Sequence, residues 1–66
     1  MRILLNGDAA EVPGPLSVDA LLAHLGVDPR TVAVECDRSV VKRARYAETV
    51  VSEGSEIEIV AFVGGG

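Results

Sequence analysis

The sequence predicts an α+β domain, a four- to five-stranded mixed sheet with one main helix packed on one face. Three observations point there. An apolar opening stretch, Arg2 to Asn6, runs into Asn6-Gly7, a pair suited to a type I′ hairpin turn because both central positions need positive φ. Val18, Leu21, Leu22 and Leu25 recur at i, i+3, i+4 and i+7, the stripe of one short helix. The longest apolar run, Glu56 to Val63, comes last and reads as a central strand, parallel to and beside the first.

The remaining elements fall between these. Ala9 to Val12 is the return strand of the first hairpin, cut short by Pro13-Gly14-Pro15, which cannot continue a ladder. Ser17 is placed to cap the helix, and Asp19 puts a negative charge where the helix dipole favours it. Gly26 suits the left-handed position after the last turn, and Asp28-Pro29 bars continuation. So short a helix does not survive alone in water, so it must lie on the sheet. Thr31 to Glu35 alternates as a strand with Val32 and Val34 on one side, Cys36-Asp37-Arg38 turns the chain, and Val40-Val41 returns. Arg43 to Ala47 makes one weak helical turn that sets Tyr46 as a cap over the core. Thr49 to Val51 is expected as an edge strand, and Ser52-Glu53-Gly54-Ser55 as a further turn.

Composition narrows the function. Sixty-six residues without linker or repeat make one domain, near the lower size limit for folding without a metal or disulfide. Cys36 is the only cysteine and His24 the only histidine, so neither an internal disulfide nor a structural metal site is expected. His24 has no acid or nucleophile near it in sequence and is not read as catalytic. A lone cysteine is more often a small packing residue than a persulfide acceptor, which is how Cys36 is read. The net charge of −4 argues against a nucleic-acid partner. Arg38, Lys42, Arg43 and Arg45 nevertheless cluster, either as a solvated turn or as a dock for an acidic patch. The apolar opening is far too short for a signal peptide or membrane span, so a cytoplasmic setting and no membrane partner are expected.

The ending is the most informative segment. A body of residues 1–63 is expected to carry a flexible tail, Gly64-Gly65-Gly66, that lacks Cβ atoms and can pass through a channel closed to side chains. A terminal carboxyl, with a reference pKa of roughly 3.3–3.7, is an anion at neutral pH and a nucleophile toward an activated phosphate. Such a phosphate must be held by a second protein, so the chain reads as a substrate carried between enzymes and not as an enzyme. Along the last strand Ile57, Ile59, Ala61 and Val63 are assigned to the core, while Glu56, Glu58, Val60 and Phe62 face outward. Val60 and Phe62, extended by Leu4 on the neighbouring strand, form the expected docking patch, with Lys42 and Arg43 as its charged contribution.

The close Glu56 to Gly66, EIEIVAFVGGG, with the opening ILLNG, the helix SVDALLAHLG, the strand VAVE and the segment VVKRARYAETVV, resembles the ThiS family of sulfur carriers in thiamine biosynthesis. That family belongs to the β-grasp, or ubiquitin-like, superfamily. The resemblance covers the whole chain. Gly54-Ser55 departs from a usual Gly-Asp, and Cys36-Asp37-Arg38 from a turn in which Asn is frequent. The resemblance implies that a ThiF-type adenylating enzyme threads Gly64 and Gly65 toward MgATP, so that the Gly66 carboxylate attacks the α-phosphate. Sulfur from a cysteine desulfurase then yields a Gly66 thiocarboxylate. A ThiG-type thiazole synthase would take that sulfur while assembling a thiazole phosphate. No cofactor is bound by the chain itself on this reading. The alternatives are a carrier for another pathway, similar to the small subunit of molybdopterin synthase, and a non-catalytic β-grasp binding module. Lys42, the sole lysine, argues against a chain-forming modifier.

Overall fold

The computed structural model describes residues 1–62. Arg2–Leu5 (β1) and Asp8–Glu11 (β2) form the first hairpin, with Leu5 opposite Asp8. Its turn is Asn6-Gly7, at φ 50° and 86°, the two positive angles that a type I′ turn demands. Leu16–Ser17 (β3) leads into the helix Val18–Leu25 (α1). The Ser17 hydroxyl accepts from the Ala20 N–H at 3.0 Å, and Gly26 ends the helix at φ 72°. After a 3-10 turn at Pro29–Thr31 come Val32–Cys36 (β4) and Ser39–Val41 (β5). A second 3-10 turn, Arg43–Arg45, precedes Val50–Val51 (β6) and the last strand, Glu56–Ala61 (β7).

Five strands form the main sheet in the order β2-β1-β7-β4-β5, with β7 central and parallel to β1. With α1 held against one face, this is the β-grasp arrangement. The core is aliphatic: Ile3, Val18, Leu21, Leu22, Val34, Val51 and Ile57 are buried, joined by Tyr46. Val18, Leu21 and Leu22 supply the helix side, as the i, i+3, i+4 spacing requires, and Leu25 packs at the margin.

Two expectations are corrected. Thr49 to Val51 is not an edge of the main sheet: Val50–Val51 pairs antiparallel with Leu16–Ser17 in a separate two-stranded ribbon. That ribbon brings Val51 under the start of the helix, where it is fully buried. Ala61 faces the helix side by alternation yet is exposed, because it stands opposite Val32, the first residue of β4, at the end of the sheet. Val63, assigned to the core from sequence, lies outside the described residues, as do Gly64, Gly65 and Gly66.

Candidate functional site

The end of β7 is the site that the sequence points to, and its backbone pairing sets its geometry. On the β4 side, Val60 stands opposite Ala33, and the Phe62 N–H donates to the Thr31 carbonyl at 2.9 Å. In an antiparallel ladder the residues that exchange hydrogen bonds alternate, so Glu56, Glu58, Val60 and Phe62 bond toward β4, while the backbone groups of Ile57 and Ile59 turn toward β1. The parallel pairing with β1 covers only Leu4↔Glu56 and Leu5↔Ile57. Beyond it, Asn6 takes over. Its N–H donates to the Ile57 carbonyl at 2.8 Å, and its carboxamide binds Ile59 twice. The Ile59 N–H donates to Oδ1 at 2.8 Å, and Nδ2 donates to the Ile59 carbonyl at 3.3 Å.

Val60 lies on the face away from the helix, 59% exposed, and Phe62, one residue past β7, is 63% exposed. Leu4 is also on that face, but the register sets it opposite Glu56, four positions short of Val60. That distance is roughly 13 Å along a strand, with Glu58 between, so Leu4 does not extend the patch. Phe62 instead borders a shallow cleft of ≈ 330 Å³, together with Pro29, Val32, Val41 and Tyr46 and the cations Arg30 and Arg43.

The basic cluster divides. Arg38 sits in the β4–β5 turn, 3.9 Å from Glu56 at the start of β7, whereas Lys42 and Arg43 follow the far end of β5. The β4–β5 register, carried one step further, brings Lys42 level with Ala33 and so in line with Val60 across the intervening strand β4. Among the described residues neither Lys42 nor Arg43 makes an ion pair, while Arg45 is held by Glu48 at 3.1 Å. Arg30 binds Asp28 at 2.8 Å and holds its carboxyl down at about 2, through the side-chain hydrogen bond first and the Arg30 N–H second. Sequence reasoning missed Arg30, which the 3-10 turn folds back to this end of the sheet.

Cys36 is half-buried, with its thiol 3.8 Å from Asp37 Oδ2. Burial first, then the Asp37 carboxylate, pushes its pKa up, which disfavours a thiolate. His24 lies on the exposed side of α1. Among the described residues no His, Cys, Asp or Glu cluster could hold a metal, and no helix is long and apolar enough to cross a membrane.

Comparison with known proteins gives consistent matches. A family model described as the ThiS family matches residues 3–66. A thiazole synthase from Paramagnetospirillum magneticum is 44% identical over 66 residues, which cover 100% of this chain and 20% of that protein. The sulfur carrier protein ThiS of Bacillus subtilis is 36% identical over 50 residues, 76% of each chain. The crystal structure of a thiamine biosynthesis protein (ThiS) from Geobacter metallireducens matches with a TM-score of 0.87 at 35% identity, covering 100% of both chains. The chain thus spans about a fifth (20%) of the length of the thiazole synthases it matches.

Proposed function

The chain belongs to the ThiS family, and from that premise we propose that it is a sulfur carrier for thiazole formation in thiamine biosynthesis, with Gly66 as the modified residue. The observation that carries the reading is the family match through residue 66, which takes in the whole glycine close. In the first step a Gly66 carboxylate oxygen attacks the α-phosphorus of MgATP held by a ThiF-type enzyme, expelling pyrophosphate. The terminal sulfur of a cysteine persulfide, charged by a desulfurase, then displaces AMP from the acyl-adenylate. A thiol cleaves the resulting acyl disulfide and leaves the thiocarboxylate.

The chain contributes no catalytic group to these steps. Its part is presentation. Glycine at 65 and 66 keeps Cβ atoms away from the attacked carbonyl and from the channel leading to it. Val60 and Phe62 supply apolar area for docking, and Lys42 and Arg43 supply charge that an acidic partner surface would complement. A ThiG-type thiazole synthase is the proposed acceptor, supported by the 44% identity to a stretch of one such protein.

That same match favours a second reading, in which the domain acts while joined to a thiazole synthase in one polypeptide. Intact mass spectrometry of the protein isolated from its host decides between them and tests the first. Incubated with the activating enzyme, desulfurase, cysteine and MgATP, the carrier should gain one sulfur in place of one oxygen at Gly66. An unchanged mass under those conditions, with the enzymes shown to be active, ends the carrier reading.

A further inference from the structure

Asn6 has a part in this structure that its place in a hairpin turn does not require. A type I′ turn needs positive φ at its first central position, and glycine or aspartate meets that need as well as asparagine does. At φ 50° the Asn6 side chain, however, leaves the hairpin and lies against β7, where its carboxamide reproduces the paired acceptor and donor of a strand residue. It does so one step past the last β1–β7 pair, Leu5↔Ile57, and three residues before Phe62. With Asn6 in place, β7 is held from both sides around Ile59, since its neighbours Glu58 and Val60 pair with Glu35 and Ala33 of β4. Without the carboxamide, everything after Ile57 would be held from the β4 side alone.

We propose that Asn6 is a positioning residue: by clamping Ile59 it fixes the direction in which β7 leaves the sheet, and so where the modified terminus is offered. This rests on the sulfur-carrier reading. The reasoning is one of population. If the end of the strand samples several directions, only a fraction of molecules offers the tail in the orientation that a partner accepts. The apparent affinity falls by that fraction, while turnover of the bound complex is unchanged.

The test compares the wild-type chain with Asn6→Gly and Asn6→Asp. Glycine tolerates the turn's φ and removes the carboxamide, so the hairpin is retained. Aspartate keeps the acceptor for the Ile59 N–H but sets a carboxylate oxygen against the Ile59 carbonyl. Hydrogen exchange by NMR should show the Ile59 amide exchanging about tenfold faster or more in Asn6→Gly, with the Val34 amide unmoved. In pyrophosphate release by a ThiF-type enzyme with MgATP, KM for the Asn6→Gly carrier should rise about tenfold at unchanged kcat, with Asn6→Asp between the two. A variant with faster Ile59 exchange but wild-type KM makes Asn6 a strand staple only and overturns the proposal. Unaltered Ile59 exchange overturns it too. If the wild-type chain itself releases no pyrophosphate, the carrier reading falls and this role falls with it; an active wild type beside an unmoved variant removes the positioning role alone.

Discussion

Asp37 grips both backbone atoms of Glu56: its N–H donates to the Glu56 carbonyl at 2.8 Å, and its Oδ1 accepts from the Glu56 N–H at 2.9 Å. This mirrors Asn6 and Ile59 on the other side of β7. In each hairpin the first positive-φ residue, Asn6 at 50° and Asp37 at 51°, reaches the central strand instead of solvent. The strand that leads to the glycine close is therefore held by turn side chains at Glu56 and at Ile59. Asp37→Ala should cost about 1–2 kcal/mol, combining a lost charge-assisted hydrogen bond with a Cβ residue poorly suited to that φ. Urea titration of the two proteins checks this, and equal midpoints would contradict it.

Arg38, the second residue of the same turn, holds φ 70° without the help of a glycine. Its only ion pair among the described residues, to Glu56 at 3.9 Å, is between exposed groups and contributes little. Arg38→Gly should therefore stabilise the domain by about 0.5–1 kcal/mol, the relief of left-handed strain exceeding the entropy that glycine loses. At this size the melting temperature should rise by a few degrees, roughly 2–8 °C. A fall in melting temperature would refute the strain argument.

The contrast between the two hairpin turns shows what the sequence makes legible. Asn6-Gly7 announces its turn, because the residues that tolerate positive φ are few. Asp37-Arg38 adopts the same turn, yet arginine carries no such signal, so only the position of a turn was readable there. Alternation likewise assigns each residue of β7 to a face, but not its register against β1. That is why Leu4 was legible as outward-facing and its separation from Val60 was not. The β3–β6 ribbon escaped for a different reason: two-residue strands hold no periodicity to read. The carboxamide of Asn6 meeting Ile59 is a tertiary contact between distant segments, and no local pattern encodes it.

Asp28 gives a pH signature. Its carboxyl is held down at about 2 by Arg30, below the ordinary 3.8. A depressed folded pKa stabilises the native state above the unfolded value, and that contribution disappears as pH falls through the folded one. The loss should therefore lie between about pH 4 and pH 2. Carboxyl NMR should place the Asp28 midpoint near 2 in the wild type, and Arg30→Ala should return it toward about 3.9. A wild-type midpoint already at the ordinary value would show that the ion pair does not persist in solution.

Leu22 is fully buried between helix and sheet in a core with no disulfide to reinforce it. Leu22→Ala should cost about 2–5 kcal/mol, against a total of the same order for a domain this small. Circular dichroism at 25 °C should show a largely unfolded chain or a greatly lowered melting temperature. A melt close to that of the wild type would mean that the helix does not rest on the sheet as described.

Val60 and Phe62 make the complementary case, because both are exposed at the end of the last strand and the fold does not need them. The double change Val60→Ser, Phe62→Ser should leave the melting temperature within about 2 °C of wild type, as surface substitutions do. If this patch docks the activating enzyme, removing a central aromatic anchor should weaken binding by about 2 kcal/mol or more, well over tenfold in Kd. Leu4→Ser supplies the internal control. Leu4 lies on the same face as Val60 and is exposed, but it stands beside Glu56 and away from the strand's end, so its loss should leave Kd unchanged. Calorimetric titration of each variant into a ThiF-type enzyme separates the outcomes. A Leu4→Ser defect as large as that of the double variant would mean the partner covers the whole outer face, and the docking surface would then be the sheet and not its end.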